Sequence, residues 1–425
     1  MAQNTRTPPK PVTSAVQSNH GALASVEQIR GMFPALARRH NGLPVAYFDG
    51  PGGTQVPQSV VDAVSDYLIH HNANTHWNYP TSAETDAILD RARAAMADFV
   101  GGEPAEIVFG ANATTLAFHA SRTLGRHFQS TDELLITELD HHAIVGPWQA
   151  LAKERGCPLH VAKMNVETGA IDWADLEAKA TSKTRLIAIG AASNALGTVN
   201  DIKRAAQLAR KIGAWLFVDA VHYAPHFLVD VKNLGCDFLV CSAYKFYGPH
   251  IGAMWCRKEL LESLPFPKVQ PSSDTAPERA ETGTLNHEGI AGSTAAIDFL
   301  ASLAKGANRR EQLHNAFAGL DRRSEDLTER MWNGLAELKN VKLYGPRPGE
   351  ARTSTVAFTV QGVASSEVAQ QLTTKAVFVS HGNFYAATVV ERLQLGHEGL
   401  VRAGCACYTT ADEVDRLIAG VRELQ

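Results

Sequence analysis

Paired cysteines are missing from this chain: its 6 cysteines, Cys157, Cys236, Cys241, Cys256, Cys405 and Cys407, include no CxxC spacing of the kind that builds a zinc site or a redox couple. Most sit among apolar, strand-forming residues, where a reduced cysteine behaves as a small hydrophobe, so a reducing, cytoplasmic setting is expected. No apolar stretch is long enough to span a bilayer, which argues against a membrane as partner. The first residues, with Pro8, Pro9 and Pro11 among polar side chains, lack the apolar core of a secretory signal and read as a disordered leader over 1–25. An excess of one charge is also lacking. The 40 lysines and arginines nearly balance the 44 acids, for a formal net charge of −4, and the two signs are interspersed, so no nucleic-acid footprint is expected. No GxGxxG joins a strand to a helix, since Gly50-Pro51-Gly52-Gly53 has the wrong spacing, and this removes a nicotinamide-dependent oxidoreductase. There is no internal repeat, and no low-complexity segment beyond the leader.

What the chain does have is alternation. From about residue 100 to 256, short apolar runs alternate with longer amphipathic ones, the signature of crossover units and a mostly parallel sheet. Strands are expected at Glu106-Phe109, Leu134-Thr137, Leu159-Lys163, Leu186-Ile189, Leu216-Asp219, Phe238-Cys241 and Ala253-Cys256. Their uniformly apolar composition predicts burial on both faces. Helices are expected at Ser59 to Asn72, Ala83 to Val100, after Asn200-Asp201, and over a long stretch from about Ile290 to Leu338. The tail from Val341 mixes strands (Thr355-Val360, Leu400-Ala403) with helices. It closes on the capping box Thr410-Ala411-Asp412-Glu413, which opens a helix carrying Val414, Leu417, Ile418, Val421 and Leu424 on one face. The fold class is therefore α/β: a large domain over 26–305, whose N-terminal helix can pack on the small domain, and a smaller α+β domain over 306–425.

The chemistry concentrates at the strand ends, where open α/β sheets place their ligands. Lys245 follows the apolar run Phe238-Leu239-Val240-Cys241 into an aromatic, glycine-containing turn, the setting of an amine kept partly out of water and able to form a Schiff base. Asp219 ends the run Ala214-Trp215-Leu216-Phe217-Val218. An amine for an aldehyde and a carboxylate for a ring nitrogen are the two partners that pyridoxal 5′-phosphate requires. Asn112, Ala113 and Thr114 open a helix whose free N–H groups suit a phosphate. His141 follows a strand and is placed to stack on a ring. Asn194 and His222 are placed to reach a phenolic oxygen, Ser242 is a second phosphate candidate, and the Glu281-Thr282-Gly283-Thr284 loop adds a hydroxyl and an N–H. Taken singly, each pattern also describes an ordinary cap or turn. Their order and placement carry the reading. No third ligand stands at zinc-like spacing beside His141 and His142, so no metal is expected.

These residues also carry a resemblance. Tyr47-Phe48-Asp49-Gly50, Asp140-His141-His142-Ala143 with Pro147-Trp148, Ser193 to Thr198, Val218 to His222, Ser242 to Pro249, Gly283-Thr284-Leu285-Asn286 and Val401-Arg402-Ala403 occur in family order. From about Tyr47 to its C-terminus the chain resembles the class V aminotransferases, fold-type I pyridoxal phosphate enzymes, and within them the cysteine desulfurase-like branch. The resemblance implies a seven-stranded, mostly parallel sheet and a homodimer with shared active sites. Among the site residues it implies Lys245 as Schiff-base lysine, Asp219 at the ring nitrogen and His141 stacked on the ring. It assigns Asn194 and His222 to the phenolic oxygen, and Ala113, Thr114, Ser242 and Tyr244 to the phosphate, with Thr284 contributed from a second subunit. Arg402 would grip the substrate carboxylate, a task for the bidentate guanidinium.

One departure bears on the reaction. Where desulfurases carry a nucleophilic cysteine, the matching stretch Ser380-His381-Gly382-Asn383-Phe384-Tyr385-Ala386 places Tyr385, a phenol that cannot take up sulfur as a persulfide. Cys405 and Cys407 follow Arg402 at the same strand parity and are expected to face the core on one side. The leading expectation is a pyridoxal phosphate enzyme of aminotransferase type, acting on an amino acid through an external aldimine and an α-carbanion, with Tyr385 near the substrate. A carbon–sulfur or other β-elimination lyase without the usual cysteine is the alternative, and a catalytically idle protein that keeps the fold is the third reading.

Overall fold

A computed structural model describes residues 23–424, so most of the expected leader lies outside the described residues. Its last positions are tied down: the Ala24 N–H donates to the Leu303 carbonyl at 2.9 Å, and Ser25 forms a capping box with Gln28 ahead of helix Val26–Arg30. That Ser-x-x-Gln spacing is a helix start which the proline-rich composition around it obscured.

All seven strands expected in the first half form one sheet. In chain order they are β1 (Ile107–Gly110), β2 (Glu133–Thr137), β3 (Leu159–Ala162), β4 (Thr184–Gly190), β5 (Trp215–Asp219), β6 (Phe238–Ser242) and β7 (Gly252–Cys256). Their spatial order is β1-β7-β6-β5-β4-β2-β3. Only β7 runs against the others, pairing antiparallel with β6 and with β1. Alternate side chains enter two separate cores: Leu216, Val218, Leu239 and Cys241 join one cluster, and Phe217, Phe238 and Val240 the other. Each large apolar side chain so buried contributes about 1.5–3 kcal/mol.

The expected single helical stretch from Ile290 to Leu338 is two helices, His287–Ser302 and Arg309–Ala336, the second capped by Asn308. The second helix starts against the large domain, with Leu313 and Phe317 in its core. It ends in the small one, with Leu327, Met331 and Leu335 packed there. A four-stranded antiparallel sheet of β8 (Val341–Tyr344), β9 (Thr355–Val360), β10 (Ser380–Gly382) and β11 (Leu400–Gly404) follows, in the order β8-β9-β11-β10. Parts of the first described segment dock on it: Ala46-Tyr47 pair in parallel with Val377-Phe378 and Arg30 bonds Glu413 at 3.0 Å. β11 ends at Gly404, one residue short of Cys405, so strand parity does not reach the two cysteines. Cys405 packs into the small-domain cluster and Cys407 into the large-domain one.

Candidate active site

The C-terminal ends of the parallel strands surround a cavity, where open α/β sheets place their ligands. It is lined by Ala113, Thr114, His141, Asn194, Asp219, His222, Ser242, Tyr244 and Lys245 together. The structure thus gathers nine of the expected site residues, from five strand ends, around one space. Thr284 is exposed on the loop ahead of helix His287–Ser302 and lines no part of this chain's cavity. Arg402 and Tyr385 stand beside the cavity, from the small domain.

Asp219 closes β5, and Lys245 sits in a 3₁₀ turn, Ala243–Lys245, directly after β6, in parallel register with it. Burial lowers the Lys245 amine to about 7, helped by the nearby Arg402 charge and opposed by Asp219 and Asp49. Burial raises Asp219 to about 6, against the pull of the Val221 N–H and of Lys245. Desolvation thus brings acid and amine toward the same pH range. The Lys245 Nζ donates to the Pro51 carbonyl, so the glycine-rich turn before the first long helix closes one side of the amine. His141 is lowered to about 4 by burial and then by Lys245 and Arg402, leaving a neutral imidazole.

At the opposite end, helix Ala113–Leu124 points its first turn at the cavity. Asn112 caps it by accepting from the Thr115 N–H, and the Ala113 N–H reaches Ser242 Oγ at 3.2 Å. The Thr114 N–H has no intrahelical acceptor. Gly252 makes this approach possible: a Cβ there would lie 2.4 Å from the Asn112 carbonyl carbon.

Among the described residues, two buried polar atoms of the lining have no hydrogen-bond partner, His222 Nδ1 and Asn194 Oδ1. Leaving such atoms unpaired costs roughly 1–3 kcal/mol each, so they mark where a polar ligand belongs. Asn194 departs in part from expectation, because its Nδ2 already donates to the Phe384 carbonyl at 2.9 Å. One N–H and the oxygen remain.

Arg402 lies on β11, nearly buried, with Nη1 donating to the Asn194 carbonyl at 2.8 Å and Nε to Ser380 Oγ at 3.2 Å. Its guanidinium carbon stands 4.0 Å from the centre of the Phe384 ring. The Phe384-Tyr385 turn holds two successive residues at φ +55° and +58°, a left-handed pair that only surrounding bonds sustain. The His142 N–H supplies one by donating to the Tyr385 carbonyl at 2.7 Å. The Tyr385 ring lies 5.6 Å from His141 and is largely exposed.

Other residues were missed as site residues. Asp140, fully buried, accepts from the Gly190 N–H at 2.7 Å and the Thr137 N–H at 2.9 Å, stitching together the ends of β4 and β2. Asp49 has a buried unpartnered Oδ1 and feels the Arg402 and Lys245 charges. Both stood inside motifs, but side-chain direction in a loop has no sequence period to reveal it. Thr353 and Thr355 of the small domain bond His222, and nothing in the sequence linked them to a histidine so far back in the chain. Glu281 pairs with Arg93 through two bonds of 2.8 Å and accepts from the Phe109 N–H, anchoring the loop that ends in Thr284.

A mostly parallel α/β sheet with a lysine and a carboxylate at neighbouring strand ends defines a fold-type I pyridoxal phosphate enzyme. Comparison with known proteins agrees. Residues 46–417 match the family model Aminotransferase class-V, and the chain belongs to that family of pyridoxal phosphate-dependent enzymes. It is 32% identical over 415 residues to a cysteine desulfurase of Pectobacterium carotovorum, covering 94% of this chain and 98% of that one. To the cysteine desulfurase of Serratia proteamaculans it is 33% identical over 419 residues, with the same coverage. Among solved structures, the apo cysteine desulfurase of Thermococcus onnurineus superposes with a TM-score of 0.86 at 29% identity, over 95% of this chain and 99% of that one. An Escherichia coli cysteine desulfurase gives 0.82 at 25% identity, over 95% and 98%.

Proposed function

We propose that the cavity holds pyridoxal 5′-phosphate and that the protein transforms an amino acid at its α-carbon, as an aminotransferase-type enzyme rather than one that passes sulfur to a cysteine of its own. The observation that carries this is the meeting of Lys245 and Asp219 in one buried cavity with unpartnered polar atoms. The cofactor, when bound, supplies an aldehyde for an amine and a ring that draws electron density from the α-carbon. Asp219 holds a proton on the ring nitrogen, and that neighbouring positive charge favours its ionised form. Ala113, Thr114, Ser242 and Tyr244 would hold the phosphate, neutral His141 would cover the ring face, and Asn194 and His222 would address the phenolic oxygen. Lys245 would hold the aldehyde at rest and would serve as the base toward the substrate's α-carbon, and its lowered proton affinity suits it to that role near neutral pH. Arg402 grips the substrate carboxylate and Tyr385 borders the substrate. Thr284 serves a second subunit of a homodimer. Ile69 and Trp77 are large apolar side chains left exposed on a segment tied to either side of that loop through Tyr67–His287 and His76–Glu278, and they support a second copy there.

No cysteine lines the cavity, and burial pushes the Cys405 and Cys407 thiols up to about 12, far from the thiolate a sulfur acceptor needs. The cysteine desulfurase relatives keep one second reading in play, elimination of a β-substituent with release of free product.

The test is spectroscopic. Purified protein should be yellow, with a visible band that borohydride removes and that shifts with its amino-acid substrate; protein that stays colourless after reconstitution overturns the assignment. Incubation with cysteine should yield no protein persulfide, and a persulfide found by mass spectrometry refutes the reading that no cysteine of this chain accepts sulfur. Uptake of the aldehyde by cofactor-free protein should quicken as pH rises through about 7, where the Lys245 amine loses its proton, and level off above it. Stopped-flow absorbance follows this, and a rate still climbing toward pH 10 places the amine in water.

A further inference from the structure

His222 is held from behind by the small domain. Its Nε2 stands 3.0 Å from Thr355 Oγ1 and 3.2 Å from Thr353 Oγ1, while Nδ1, on a side chain that lines the cavity, meets no protein atom that bonds it. Thr353 is 1% exposed and Thr355 0%, so neither hydroxyl has water to turn to. Among the described residues, the His222 ring nitrogen is the only hydrogen-bond partner of either hydroxyl.

A neutral imidazole carries one hydrogen, and the two placements are not equivalent here. With the hydrogen on Nε2, that nitrogen donates and both buried hydroxyl hydrogens are left without an acceptor. With the hydrogen on Nδ1, the Nε2 lone pair accepts from Thr355, with Thr353 sharing the same acceptor, and the buried donors are served. The neighbouring residue sets a contrast. Ser354 Oγ gives its hydrogen to the Cys405 carbonyl at 2.8 Å, so toward His226 Nδ1, 3.3 Å away, it can only accept. The segment is rigid enough to impose this. The Thr353 N–H donates to the Gly197 carbonyl at 2.8 Å, and Gly197, at φ +78°, packs so close that a Cβ would lie 2.7 Å from the Thr355 carbonyl oxygen.

We infer that Thr353 and Thr355 are positioning residues that hold His222 with its hydrogen on Nδ1, making it a hydrogen-bond donor into the cavity. They belong to the small domain and His222 to the large one, so the donor is set only when the two domains are packed together. The inference rests on the reading above for what receives the bond, the phenolic oxygen of pyridoxal 5′-phosphate, but not for the tautomer itself.

The two are tested apart. In cofactor-free protein labelled with ¹⁵N-histidine, the His222 signals, assigned by difference against His222→Gln, should show a protonated Nδ1 and an unprotonated Nε2. A wild-type ring protonated on Nε2 overturns the inference without any variant having to fold. Thr353→Val with Thr355→Val should release the preference, and Thr355→Ser alone should keep it; an unchanged tautomer in the double valine variant overturns the role of the threonines. The double variant should also bind pyridoxal 5′-phosphate about fivefold to tenfold more weakly, the worth of one hydrogen bond, with equal affinity in both proteins counting against a donor at that oxygen. Failure of wild-type protein to bind the cofactor at all, with the Nδ1 hydrogen present, would instead sink the proposed function and leave the tautomer standing.

Discussion

Lys245→Ala leaves protein without the borohydride-sensitive visible band and turns over at least about 10³-fold more slowly, the scale of a lost general base. Among the described residues Lys245 is the only lysine lining the cavity, so no other amine of theirs can take its place. The change removes a buried charge as well as a nucleophile. Lys245 is 7% exposed, and its proton affinity is already depressed by burial and by Arg402, so the alanine protein should be at least as stable to heat as the cofactor-free parent at pH 6. Loss of colour with retained melting temperature separates a chemical role from a structural one. A covalent adduct surviving on another residue, located by peptide mass spectrometry after borohydride, would move the Schiff base elsewhere.

The parallel strands were legible because burial on both faces demands near-continuous apolar runs, as in Leu216-Phe217-Val218 and Leu239-Val240-Cys241. The direction of β7 was not in those runs. It lies in the short connection after β6, too brief for the crossover that a parallel neighbour requires, and occupied by the Lys245 turn itself. The candidate site was legible where its lining follows a strand end, as with Asp219, Lys245 and His141. It was hidden where one element meets another far along the chain. Thr353, Thr355 and Ser380 reach the site through the docking of the small domain, and spacing in sequence says nothing about that docking. Asn194 shows the limit within a recognised motif: its type was informative, but its first hydrogen bond goes to the Phe384 carbonyl, a partner only the fold supplies.

Arg402→Ala raises the KM for the amino-acid substrate by roughly 10²-fold or more, while affinity for pyridoxal 5′-phosphate changes by less than about threefold. The first figure follows from removing one member of a buried charge pair, about 3–5 kcal/mol. The second follows from position, since Arg402 does not line the cavity. Burial lowers the guanidinium to about 9, with Asp49 pulling the other way, so an incoming carboxylate meets a cation short of compensation. Two of its donors are occupied, Nη1 by the Asn194 carbonyl and Nε by Ser380 Oγ. The Phe384 ring covers one face. What is left free is the outer part of the fork, aimed by three fixed contacts. Arg402→Lys tests that aim: it keeps the charge but cannot bond Asn194, Ser380 and a carboxylate together, so it should recover little of the lost affinity. Full recovery by lysine would reduce Arg402 to a source of positive potential, and an unchanged KM in the alanine variant would place the substrate carboxylate at another residue.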